Sequence, residues 1–132
     1  IEEFAVNYVR KIPSIEIPGG KLVVNNCVFS DVYNTEKGKV LRVNGIHAVE
    51  ITNSVFEDSY KIKNPITLQG SASFAKNSLF YDTGFPKFSK NAKDINLLYK
   101  NPKWEDHDLF IPSKKSPLLK ENNDIGIIGL KQ

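Results

Sequence analysis

Three aspartates stand at the end of the same phrase: NCVFSD from Asn26, NSVFED from Asn53 and NSLFYD from Asn77. If the three copies stack at the spacing of paired strands, about 4.8 Å per step, then Asp31, Asp58 and Asp82 form a column of carboxylates. Like charges that close repel unless a cation or an amide intervenes. One outcome is a calcium ion gathered with the help of Glu57 or nearby carbonyls, and the other is turn capping, each aspartate bonding its own backbone amides. The chain has no Asp-rich calcium loop, which favours capping, and calcium is the one cofactor left open. His107 lies in WEDHDLF among Glu105, Asp106 and Asp108, and His47 lies near Glu50. A histidine among carboxylates can bind a metal or act as a base. The two histidines are far apart and have no second His or Cys at ligand spacing, so a zinc site is not expected. There is no Gly-x-Ser-x-Gly elbow and no phosphate-binding glycine loop, and no residue is assigned as catalytic or as a metal ligand.

A second set of polar residues sits between the phrases. SIEIPG, VLRVNG and PITLQG superpose so that Ile15, Leu41 and Ile66 align, followed by Ile17, Val43 and Leu68, then Gly19, Gly45 and Gly70. The alternate positions, Glu16, Arg42, Asn44, Thr67 and Gln69, then share one sheet face. An acid, a guanidinium and two amides suit sugar hydroxyls and uronate carboxylates, since Arg binds a carboxylate through two parallel hydrogen bonds. The competing reading is a solvated sheet surface, polar by necessity. Tyr33, Tyr60, Tyr81 and Trp104 could stack on sugar rings, although for Trp104 burial in the terminal cap is the favoured reading.

The elements that must hold these residues follow from the repeat. Asn26, Asn53 and Asn77 recur at steps of 27 (53 − 26) and 24 (77 − 53) residues, and Phe29, Phe56 and Phe80 keep the same offset. Upstream of each asparagine runs an alternating pair, Leu22/Val24, Val49/Ile51 and Ser73/Ala75, the mark of short strands with one buried face. A unit of ~25 residues cannot bury its own apolar face and must stack on its copies. The expected fold is all-β, a right-handed parallel β-helix of about four coils with three short strands each. Phe29, Phe56 and Phe80 become an internal stack and the asparagines a ladder at a bend, where Asn tolerates the left-handed conformation. Cys27, Ser54 and Ser78 are small because they sit beside that bend, so Cys27 is read as packing and not as a nucleophile. Counting back from Phe29 places Phe4 in the aromatic column, so the chain is expected to begin in mid-coil. After Phe80 the regularity fades, with strands expected around 86–89 and 95–99. Residues 1–101 are assigned to coils and 102–132 to a terminal cap of the same domain, with Trp104, Phe110, Ile111, Leu118 and Leu119 covering the open end.

Composition bounds the partners. The 132 residues suffice for one domain with its own core, and no apolar run approaches the ~18 residues of a spanning helix, so no membrane span is expected. The net charge of +3 comes from scattered lysines, without a dense basic block, so nucleic acid is not an expected partner. A single cysteine excludes an internal disulfide. IEEFAVNYVR lacks the basic and apolar regions of a signal peptide. There is no Met, which predicts that residue 1 is not the natural start of translation. A mid-coil start would expose strand edges around residues 1–6, and self-association through that face is expected.

These coil phrases resemble the right-handed parallel β-helix proteins of secreted polysaccharide metabolism, in particular the chondroitinase B and alginate lyase type and related secreted proteins of gut Bacteroides. The ending NPKWEDHDLFIPSKKSPLLKENNDIGIIG is similar to endings in such proteins. The resemblance implies an extracellular, cell-surface or periplasmic location and a polysaccharide ligand. In the lyases a calcium ion neutralises the uronate while a Lys acts as base and an Arg assists. The matching region here, GKVLRVNGIHAVEITNS followed by PITLQG, has Arg42 and Asn44 where acids would stand and Thr67 and Gln69 where an Arg-His pair would fall, so no catalytic role transfers. The expectation is a carbohydrate-associated module, non-catalytic or a degenerate relative of the lyases. Its alternatives are the C-terminal part of an active polysaccharide lyase acting on uronate-containing glycans, and a structural stalk or adhesin segment.

Overall fold

A computed structural model of the chain describes residues 5–7, 14–16, 21–31, 42–44, 48–59, 62–68, 72–88 and 93–119. Its strands are β1 (Ala5–Asn7), β2 (Ser14–Glu16), β3 (Lys21–Asn25), β4 (Val28–Ser30), β5 (Arg42–Asn44), β6 (Ala48–Thr52) and β7 (Val55–Glu57). They continue with β8 (Thr67–Leu68), β9 (Phe74–Lys76), β10 (Leu79–Tyr81), β11 (Lys87–Phe88), β12 (Lys93–Ile95), β13 (Trp104–Asp106) and β14 (Ile111–Pro112). The protein is all-β. Among the described residues the one helical piece is a 3-10 turn, Pro117–Leu119.

One sheet runs β1-β4-β7-β10 and a second β12-β9-β6-β3, while β2-β5 and β8-β11 form two-stranded ladders; all of these pairings are parallel, and β13 and β14 pair antiparallel. From β1 to β12, each strand therefore pairs with a strand about one repeat away and not with its neighbour in sequence. Phe29 lies opposite Phe56, and Phe56 opposite Phe80. Val24, Ile51 and Ala75 lie opposite one another in the second sheet. The alternation anticipated upstream of each asparagine is present, with Leu22 and Val24 buried between the less buried Lys21, Val23 and Asn25.

The bends at the two ends of strands β4, β7 and β10 explain why the phrase repeats. Asn26, Asn53 and Asn77 have φ of 53°, 52° and 47°, and Asp31, Asp58 and Asp82 have 52°, 55° and 53°. Asn and Asp enter this left-handed region at the least cost after glycine. The residue after each asparagine is small for a further reason. Ser54 Oγ accepts from Cys27 N at 3.2 Å and donates to Thr52 O at 2.9 Å, and Ser78 Oγ repeats the pattern with Ser54 N and Lys76 O. A serine beside the bend thus ties successive rungs together. Cys27 is fully buried, consistent with a packing residue.

The rings of Phe29, Phe56 and Phe80 stack at 4.8 and 5.0 Å with interplanar angles of 15° and 8°. Around them Leu22, Val24, Val49, Ile51, Ile62, Ile66, Leu68 and Ala75 complete one core. Offset pairs of this kind contribute about 0.5–1.5 kcal/mol beyond the area they bury.

Four expectations are corrected. Opposite Phe29 stands Val6, not Phe4, and opposite Ile15 stands Val43, not Leu41. Both are slips of two residues, which the period of a strand leaves invisible because the same face stays inward. The phrase also does not fade after Phe80. NLLYKN repeats it from Asn96, with φ 52° at Asn96, a bridge between Leu79 and Leu98, and an Asn96 Nδ2 to Asn77 Oδ1 bond of 2.6 Å. The strand expected at 95–99 is instead β12, a bend and that bridge, 19 residues on from Asn77, while the strand expected near 86–89 is β11. Finally, Tyr99 leans on Phe80 at 6.1 Å and Leu97 packs on the same core. Tyr99 thus extends the aromatic column past Phe80.

Candidate functional site

The tail lies along a side of the first sheet. Val28, Val55 and Leu79, which face away from the phenylalanine stack, form a second buried cluster with Phe110 and Leu118, flanked by Tyr81, Leu98 and Trp104. Of the residues expected to cover an open end, Phe110 and Leu118 are buried, Trp104 and Ile111 are half-buried, and Leu119 is exposed. Strands β4 and β7 are consequently buried on both faces. Ser113 N bonds Lys103 O at 2.9 Å, Ser116 Oγ bonds Pro102 O, and Asp106 Oδ1 accepts from the amides of Asp108 and Leu109, so the tail holds its own shape.

Beneath the tail sits Glu57, 1% exposed. It occupies the same position in its rung as Ser30 and Tyr81 do in theirs, on the face that bears Val55. Ser30 Oγ donates to Glu57 Oε1 at 2.9 Å, and Trp104 Nε1 donates to Oε1 and Oε2 at 2.9 and 2.8 Å. His107 Nε2 lies 2.7 Å from Oε1. Facing acceptors, Nε2 carries the hydrogen. A buried carboxylate is tolerable only when donors surround it, and here two of them come from the tail. Phe110 meets the His107 ring edge-on at 5.6 Å and 87°, which fixes the imidazole plane.

Two aspartates of the predicted column complete the cluster. Asp31, Asp58 and His107 place one ligand-capable atom each within 4.8 Å of one another, and His107 Nε2 is 3.6 Å from Asp58 Oδ2. Burial, then the charges of Glu57 and Asp31, raise the Asp58 pKa to about 6 against the opposing pull of His107. Partial burial acts to lower the His107 pKa, yet the hydrogen bond and charge of Glu57, with Asp58 and Asp31, outweigh it and raise the imidazole above 6.5. The structure thus joins two sequence signals, the aspartate column and the WEDHDLF histidine, that spacing alone left separate.

The predicted glycan-facing residues are distributed differently. In the β2-β5 ladder Glu16 lies opposite Asn44 and Arg42 opposite Ser14. Thr67 belongs to the other short ladder, opposite Lys87, and the described residues include no pairing between β5 and β8. Gln69 lies outside the described residues, as do His47, Tyr33 and Tyr60. Glu50 is paired with Lys21 at 2.7 Å. Tyr81 is half-buried against the tail cluster, while Phe85 and Tyr99 are exposed and meet edge to face at 4.8 Å. Ser30 was not singled out from sequence. The available signal was the outward position that differs in every copy, Ser30, Glu57 and Tyr81.

Comparison with known proteins finds no matching family model, no matching curated protein and no matching solved structure. No helix among the described residues is long and apolar enough to cross a membrane.

Proposed function

We propose that the chain is a short right-handed parallel β-helix serving as a glycan-associated module of an exported protein, related to polysaccharide lyases of the chondroitinase B type and itself non-catalytic. The observation that carries this reading is the recurrence of one bend, Asn26, Asn53, Asn77 and Asn96, across parallel rungs. A stack of that kind presents long ladders of outward side chains at strand spacing, suited to an extended polymer. The buried acid of the tail-covered face, Glu57, supports the non-catalytic part. Its oxygens are engaged by Ser30, Trp104 and His107, a positioning role in which no oxygen is turned to a substrate.

The glycan face is assigned to Glu16, Arg42, Asn44, Thr67 and Gln69, with Arg42 as the carboxylate-binding group. Titration of the chain with a uronate polysaccharide and with a neutral glucan, each with and without calcium, tests it. Saturable binding of the uronate polymer that weakens in Arg42→Ala is expected. No binding to either polymer would leave a structural stalk as the better description, and release of an unsaturated uronate product would overturn the non-catalytic reading.

A further inference from the structure

The cluster at the edge of the tail has the composition of a cation site. We propose that Asp31, Asp58 and His107 bind one divalent transition-metal ion, of the zinc or manganese class, at the seam between the tail and the first sheet. This site is independent of the glycan reading. Its three groups converge within 4.8 Å, and each is held from behind. Asp31 N bonds Glu57 O at 3.3 Å and Asp58 N bonds Tyr81 O at 3.0 Å, so the two left-handed bends are fixed rung to rung. The imidazole plane is set by the edge contact with Phe110 and by Trp104, whose ring centre lies 6.5 Å away. Preorganised ligands reduce the ordering cost of binding.

The ligand set selects the ion. Two carboxylates alone would suit calcium, but an imidazole nitrogen favours a first-row transition metal. Binding exchanges the hydrogen on His107 Nε2 for the metal and releases it as a proton. Glu57 tolerates that exchange, because Ser30 Oγ and Trp104 Nε1 continue to donate to it. The His107 and Asp58 side chains are 35% and 31% exposed, so solvent reaches the position and water can complete the coordination shell. Because His107 belongs to the tail and both aspartates to the sheet, the ion would fasten one to the other.

Calorimetric titration of the full chain with zinc, manganese and calcium chlorides, followed by thermal unfolding with each, tests the site. One zinc or manganese ion per chain is expected, bound more tightly than calcium and raising the melting temperature. Asp31→Asn, which keeps a residue suited to the left-handed bend, should weaken affinity by about tenfold or more, and His107→Gln should do the same. Asp82→Asn, one rung further along the same column, should leave the affinity unchanged. Absence of stoichiometric binding, equal affinity for calcium, or equal weakening by Asp82→Asn and Asp31→Asn would each overturn the assignment.

Discussion

The two faces of the β4-β7-β10 sheet are built on opposite rules. The inner face repeats one side chain, Phe29, Phe56 and Phe80, in near-parallel contact. The outer face alternates a repeated aliphatic column, Val28, Val55 and Leu79, with a position that never repeats, Ser30, Glu57 and Tyr81. Stacked copies solve the inner face without outside help, since each ring finds its partner in the next rung. The outer face has no such solution, and residues 102–119 supply one through Phe110, Leu118 and Trp104. Repetition builds the framework, and departure from repetition marks where another segment docks.

Breaking the inner column should have the largest effect. Phe56→Ala removes a ring stacked on both sides and should cost about 3–5 kcal/mol, read from the denaturant midpoint. A loss below about 1 kcal/mol would mean that the aromatic stack does not organise the core. The bend comes next. Asn53→Ala places a Cβ-bearing residue without a locally bonding side chain at φ 52°, at a cost of roughly 1–2 kcal/mol. Asn53→Gly should lose little, which separates backbone conformation from the amide ladder. That ladder is already interrupted here: Asn53 Oδ1 and Asn77 Nδ2 are buried without a hydrogen-bond partner, although Asn53 Nδ2 bonds Asn25 Oδ1 at 3.2 Å.

A smaller effect is expected from pH on the outer face in chelator-treated protein. His107 and Asp58 both have folded pKa values above their ordinary ones, so the folded state holds protons that the unfolded chain releases. The Asp58 contribution is full below 3.8 and is lost as pH rises through about 6; that of His107 is full below 6.5 and is lost through its higher folded value. Raising the pH from about 5 to about 8 should therefore loosen the tail and lower the melting temperature. Greater stability at the alkaline end would contradict the cluster as described, and Asp58→Asn should reduce the dependence.

The framework was legible because three copies state it. Asn, a small residue and Phe recur in Asn26–Phe29, Asn53–Phe56 and Asn77–Phe80, and the pairing of these positions follows from stacking alone. The slips at Val6 and Val43 went unseen because a two-residue shift preserves which face is inward. The copy from Asn96 was hidden by a shorter step and by Tyr99 in place of Phe. The Glu57 cluster was out of reach for a different reason. His107 and Glu57 are 50 residues apart, and no repeat relates them, so only the path of the tail brings them together. What spacing could supply was the asymmetry at Glu57, an acid in a phrase whose other copies carry serine and tyrosine.

Trp104 is the sole tryptophan, and its indole N–H points at Glu57, so its fluorescence reports tail docking directly. The decisive comparison is the wild-type protein with Glu57→Ala, which removes the acceptor shared by Trp104, His107 and Ser30 and leaves the indole N–H without its carboxylate. If the tail seals the outer face through Glu57, the variant should show red-shifted emission and faster quenching by acrylamide while its far-ultraviolet β signal is retained. Unchanged emission and quenching would show that Glu57 does not hold the tail in place.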